Sequence, residues 1–328
     1  MDSLIFSLNA VLPIMIMVFI GYLLKKSGFV EASLSKVLNK LVFRIFLPVM
    51  LFMNVYKIDD IRAFDFRYVL YAVGSALILF AVSLPVIISF SKRSDRRGVL
   101  LQSVFRSNYA LIGIPLAGAL FGEQGEIVAS LLSAVTIPVF NILAVLSLTL
   151  FNSETARPSV KKILLGIIKN PLIQGIFAGI VTLVIRAVLV SCSVDFRLSD
   201  VTSIYKVLTY LSGLATPLAL ISLGIQFEFS AIKELKREII FGTLTRTVIV
   251  PALGLSVAYF AFRDIFTGAH FAAFVALFAS PLAVSTVPMT QEMKGDSDLA
   301  GQLVVWSTLV SGFTIFLIAF VLKSVGVF

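Results

Sequence analysis

Asn108 and Tyr109 stand just ahead of Gly113 and Pro115 in the stretch Phe105–Gly122, FRSNYALIGIPLAGALFG. That pairing of polar side chains with helix-breaking residues is the part of the chain best suited to recognising a solute. Proline removes a backbone donor, and glycine loosens the chain beside it. In hydrocarbon an unpaired amide or carbonyl costs several kcal/mol, so a broken helix survives only inside protein or beside a water-filled cavity. The freed groups can there hold a solute, and the Asn108 amide can donate to a carboxylate. A second set, Ser285, Thr286, Thr290 and Gln291, surrounds Pro281 and Pro288. If the two broken stretches cross, their half-helix N-termini favour an anion and their carbonyl ends a cation. Which of Pro281 and Pro288 marks the second break stays open. Asn141, shortly after Pro138, is the remaining amide expected at the crossing, and Tyr109 either lines the cavity or packs. Thr136, Ser307, Thr308 and Ser311 are expected to hydrogen-bond between helices.

Three arginines, Arg44, Arg106 and Arg246, fall within apolar runs as candidate charge partners. A charge at membrane depth defaults to a functional role. Arg106 lies near the start of its run and is expected to snorkel to the interface. Arg44 precedes Pro48 and Arg246 precedes Pro251, so each either offsets an anion or bonds carbonyls freed by the proline. No Asp or Glu lies near the centre of a run, which favours an anionic solute over a proton or cation antiporter. One cysteine, Cys192, and one histidine, His270, leave no metal site to assemble. HExxH, paired deep acids and a serine–histidine set are also missing from the sequence. The chain is read as a non-enzyme with no cofactor and no metal, coupling to H+ or Na+ being left open.

The elements that must position these residues follow from composition. Of 328 residues, 59% are hydrophobic and 14% charged, where a soluble domain carries roughly a quarter charged residues. The apolar runs span 4–24, 35–55, 67–91, 98–121, 125–151, 170–190, 205–226, 238–261, 270–292 and 299–326. They predict an all-α membrane protein of ten transmembrane helices. The net charge of +9 gathers at run ends, which speaks for membrane topology and against a nucleic-acid partner. Alternate loops, beginning after the first run, hold roughly twice as many Lys and Arg as the others. Both termini are therefore expected outside the cell membrane, with the linker around Pro158 in the cytoplasm. The first run is expected to be a retained helix, since its lysines follow it. Pro48 in the second run pairs with Pro217 in the seventh, at nearly the offset that relates Ala129 to Ala300. The fourth and ninth runs are both broken. Five spans per half imply that the second half enters the membrane upside down, as in secondary transporters with a midplane site. The division is a first repeat over 1–151, a linker over 152–169 and a second repeat over 170–328.

Six ordered stretches resemble the auxin efflux carrier family, which includes bacterial malate-permease-like proteins and the PIN-FORMED carriers. They are KLVFRIFLP (Lys40–Pro48), FRSNYALIGIPLAGALFG, PVFNIL (Pro138–Leu143), KNPLIQGIFAG (Lys169–Gly179), LATPLALISLG (Leu214–Gly224) and RTVIVPALGL (Arg246–Leu255). The resemblance implies two inverted five-helix repeats with crossover helices 4 and 9, a fold shared with bile acid sodium symporters. It also implies a scaffold of helices 1, 2, 6 and 7, a transport domain of helices 3–5 and 8–10, elevator-type movement and a homodimer. Family crossover positions fall on Pro115 and on Pro281 or Pro288, and the polar residue before the first falls on Asn108. Arg106-Ser-Asn-Tyr stands where plant carriers have a Gly-Asn type motif, and the long plant loop is missing. A carboxylate or dicarboxylate such as malate is the implied substrate. The alternatives are a sodium-coupled bile-acid-type symporter and a transporter-derived sensor.

Overall fold

The computed structural model describes residues 2–57, 66–151, 165, 168–194 and 196–328. The expected linker over 152–169 falls mostly outside them. Among the described residues the chain is helical, with one isolated antiparallel bridge, Ser107 to Leu282. In order the helices are α1 (Asp2–Lys26), α2 (Ser33–Leu41), α3 (Leu47–Tyr56), α4 (Phe66–Phe90), α5 (Ser94–Phe105), α6 (Ile114–Leu150) and α7 (Pro171–Ser191). There follow α8 (Thr202–Gln226), α9 (Ala231–Leu244), α10 (Val250–Phe262), α11 (Gly268–Ala279), α12 (Thr286–Glu292) and α13 (Ser297–Ser324). Among the described residues, seven helical segments are long and apolar enough to cross a membrane. Large apolar side chains such as Phe260 and Phe313 face outward at 80% and 62% exposure, as lipid contact requires.

Three segments join through π turns, at Val42–Phe46, Tyr109–Gly113 and Thr245–Ile249. Each ends two residues before a proline: Pro48, Pro115 and Pro251. A proline ring clashes with the carbonyl four residues back and offers no N–H, so widening the preceding turn lets the helix continue. α6 instead breaks sharply. Phe121 leaves helical geometry, and Gly122 adopts φ 62°, ψ −156°, a region open to glycine. The segment thereby divides into a short limb carrying Pro115 and a long one carrying Asn141.

Packing falls into two groups. α1, α2, α3, α7 and α8 lie chiefly against one another, while α4, α5, α6, α9, α10, α11 and α13 surround the break region. At the centre of the second group is α11, buried throughout from Phe271 to Ala279. A helix apolar on every side belongs in such a position. Its phenylalanines form an aromatic cluster with Tyr71 of α4, whose ring lies 4.9 Å from that of Phe274, and the Tyr71 hydroxyl donates to the Gly254 carbonyl. At one end of this group Arg96 bonds Glu234, Glu238 and Asp296 at 2.6, 3.0 and 3.0 Å, tying α5 to α9 and to the N-terminus of α13. Beside it Arg93 bonds Asp95 and holds that carboxyl below the usual carboxylate range.

Candidate functional site

α5 stops at Phe105, and the chain runs extended through Arg106 before the π turn begins at Tyr109. α11 stops at Ala279 because Ser280 precedes Pro281, and residues before proline are driven out of the α region. The two breaks touch: the Asn108 N–H donates to the Pro281 carbonyl at 2.7 Å, next to the bridge between Ser107 and Leu282. The second break is therefore at Pro281. Pro288 sits inside α12. Ser307 of α13 fixes this segment by accepting the Leu282 N–H at 3.1 Å. Thr136, Thr308 and Ser311 instead bond carbonyls within their own helices.

The crossing creates a cavity of about 100 Å³. Its wall combines Arg106 to Leu111 from the first break, Ala283 to Ser285 from the second, and Ile137, Phe140 and Asn141 from α6. Leu47, Met50, Leu51 and Asn54 of α3 close another side with Ala215, Thr216 and Ala219 of α8. The α3 residues recur at the three- and four-residue spacing of one helical face. A single water needs roughly 10–15 Å³, so there is room for a short organic molecule.

Arg106 dominates the electrostatics of this cavity. It does not snorkel, as its position in the run suggested; it is 2% exposed and turns inward. Its guanidinium donates to Gln102 Oε1 at 2.6 Å, Asn141 Oδ1 at 2.9 Å and Ser285 Oγ at 2.8 Å, and reaches Met289 Sδ at 3.2 Å. Inward orientation follows from these neutral acceptors, which solvate the group in place of water. None of its partners is a carboxylate, and Arg106 is absent from the ion pairs of the described residues. A buried cation without a counter-charge attracts an anion strongly. Around it the Asn54 and Asn108 side-chain nitrogens and the Ser107 hydroxyl are buried without a hydrogen-bond partner, and each is a donor.

Arg246 does something different. It is 1% exposed and donates to the carbonyls of Ser280 at 2.9 Å, Val104 at 3.1 Å, Leu277 at 2.8 Å and Phe278 at 2.6 Å. Those carbonyls are the C-terminal ends of α5 and α11, whose dipoles favour a cation. Arg246 clamps the crossing and does not line the cavity. Arg44 does not line it either; its side chain is 61% exposed and lies 3.4 Å from Glu292.

Of the residues expected at the site, the structure brings Arg106, Asn108, Tyr109, Asn141 and Ser285 into one wall. Gly113, Pro115, Thr286, Pro288 and Gln291 lie outside it. Gly113 serves packing, since a Cβ there would stand 3.2 Å from the Ala276 carbonyl. Gln291 accepts from Asn39 Nδ2 at 2.5 Å. Asn54 and Thr216 line the cavity without having been singled out from the sequence. Asn54 could have been found, being the amide on the α3 face that carries Leu47 and Leu51.

A family model described as membrane transport protein matches residues 6–319. An uncharacterized transporter of Methanothermobacter thermautotrophicus is similar at 25% identity over 318 residues, covering 93% of this chain and 95% of that protein. An uncharacterized transporter of Methanocaldococcus jannaschii is 26% identical over 271 residues, covering 76% and 79% respectively.

Proposed function

The chain belongs to the membrane transport protein family, that of the auxin efflux carriers, and from that premise we propose that it carries a small organic anion. It is a multi-pass membrane transporter. The observation that carries the anion reading is Arg106, a buried guanidinium in the cavity wall with only neutral partners. The carboxylate binds there, with Asn108 as a second donor. A dicarboxylate such as malate belongs among the substrates to be tried.

Alternating access is elevator-like in this reading. α1, α2, α3, α7 and α8 form the scaffold, and the helices around the crossing form the moving body. The division of the packing and a cavity lined from both groups support it. Two inverted halves of five spans, meeting at the Asn108 and Pro281 breaks, complete the scheme, with both termini outside the cell membrane and a homodimer as the assembly. Sodium coupling of the bile-acid type is disfavoured, because the carbonyl ends that would attract a cation at the crossing are already bonded to Arg246.

The test is counterflow of labelled organic acids in proteoliposomes, paired with thermal-shift screening in detergent. Saturable exchange is expected, without dependence on sodium. Arg106→Gln and Asn108→Ala should each weaken substrate binding by about a hundredfold and tenfold respectively, as expected from removing a charged and a neutral donor, with the apo protein still folded. Unchanged ligand stabilisation in both variants would discard the site, and binding without exchange would make the protein a sensor.

A further inference from the structure

We infer that the transported acid is a monocarboxylate with a second, uncharged oxygen acceptor, a hydroxy or oxo acid, and that Asn54 reads that acceptor. The inference rests on the anion site proposed above and adds the other pole of the ligand.

Two unpartnered amide nitrogens belong to the wall of one small cavity, and they come from different packing groups. Asn108 is on the first break, beside Arg106. Asn54 is on α3, which packs with α7 and α8. A donor buried without an acceptor is costly in the empty protein, and that cost disappears when a ligand oxygen reaches it. The carboxylate is committed to Arg106 and Asn108, so Asn54 calls for a further acceptor on the same molecule. Thr216 of α8, a helix that packs against α3, is a further polar residue of the wall.

The charge of that second group follows from the lining. Among the described residues Arg106 is the one charged residue in the cavity wall, and it matches one negative charge. A second carboxylate against Asn54 and Thr216 would be a buried anion with no cation to offset it. A hydroxyl or carbonyl oxygen satisfies the amide without that penalty. The remaining wall, Met50, Leu51, Leu111 and Phe140 among it, suits a short carbon skeleton between the two poles. A plain alkanoate fits the skeleton and the carboxylate pocket but leaves the Asn54 donor unanswered.

The experiment is thermal-shift titration and counterflow of the full-length protein with butyrate, 3-hydroxybutyrate, acetoacetate and succinate. The hydroxy and oxo acids should bind about tenfold tighter than butyrate, the discrimination typical of one buried hydrogen bond. Asn54→Leu should abolish that preference, bringing the hydroxy and oxo acids to within about twofold of butyrate when all are measured on the same variant, and Thr216→Val should reduce the preference in part. Should Asn54→Leu not fold, Asn54→Ala removes the amide without adding bulk and is expected to give the same loss of preference. Equal binding of butyrate and 3-hydroxybutyrate by the native protein would overturn the inference. So would a preference that survives both Asn54 variants, or succinate as the tightest ligand. If no acid binds and Arg106→Gln changes nothing, the anion site itself falls. If acids bind through Arg106 without discrimination, only the role of Asn54 falls.

Discussion

Arg106 and Arg246 are both buried beside a helix break, yet their partners separate their roles. Arg246 bonds four backbone carbonyls drawn from two helix ends, so its charge is spent on the fold. Arg106 bonds neutral side chains facing a cavity, so its charge remains available. Sequence alone offered an anion or the carbonyls freed by Pro251 as the partner of Arg246; the carbonyls it bonds are others, those of Val104, Leu277, Phe278 and Ser280 at the ends of two different helices. Sequence alone also misplaced Arg106, because its place near the start of a run points to snorkelling, whereas two of its acceptors, Asn141 and Ser285, come from segments far away in the chain. The division of labour is testable in Arg246→Lys. An ammonium offers three donors where the guanidinium offers a planar fork of five. The expected outcome is a loss of about 3 kcal/mol, on the scale of leaving one or two buried carbonyls unpaired, seen as a lower melting temperature. Ligand-induced stabilisation should persist at permissive temperature.

At the scale of elements, run boundaries were readable and run interiors were not. Runs 35–55 and 205–226 correspond closely to helical segments Ser33–Tyr56 and Thr202–Gln226, because charges and turn residues punctuate apolar stretches, whereas run 238–261 starts well inside Ala231–Phe262, whose first turns are charged. Prolines marked trouble spots without saying what kind. Pro48, Pro115 and Pro251 follow π turns, while Pro217, which the sequence spacing paired with Pro48, lies inside a continuous α8. Pro281 and Pro288 were indistinguishable until the Asn108 hydrogen bond chose Pro281. One inter-element contact bears directly on movement. Asn39 of α2 donates to Gln291 of α12 and also to Gln226 of α8 at 3.1 Å. α12 follows the second break, whereas α2 and α8 belong to the opposing group. If the two groups slide past one another as proposed, Asn39 must part from Gln291. With Cys192 replaced by serine, Asn39→Cys and Gln291→Cys bridged by a short bifunctional thiol reagent should arrest transport. Each single cysteine should leave most activity, since one hydrogen bond contributes about 1 kcal/mol net. Undiminished flux in the bridged protein would mean that these two elements move together.

For the whole molecule, composition foretold the helical membrane class, and the ordered motifs foretold the family that residues 6–319 match. The grouping of helices was not legible in hydropathy, because lipid-facing and core-facing surfaces are both apolar, and neither was Asn54 at the junction of the groups. A last consequence comes from the uncompensated guanidinium at the crossing. With an anion of single charge aboard, the binding site is electrically neutral; vacant, it carries a positive charge. If that charge traverses the bilayer with the moving body, each 100 mV of membrane potential acts on it with about 2.3 kcal/mol. The vacant stroke would then feel voltage and the occupied stroke would not. An inside-negative potential would draw empty sites back to the cytoplasmic face and thereby accelerate net efflux. In proteoliposomes clamped by a potassium gradient and an ionophore, efflux should rise with inside-negative voltage while one-for-one exchange stays level, and Arg106→Gln should flatten the difference.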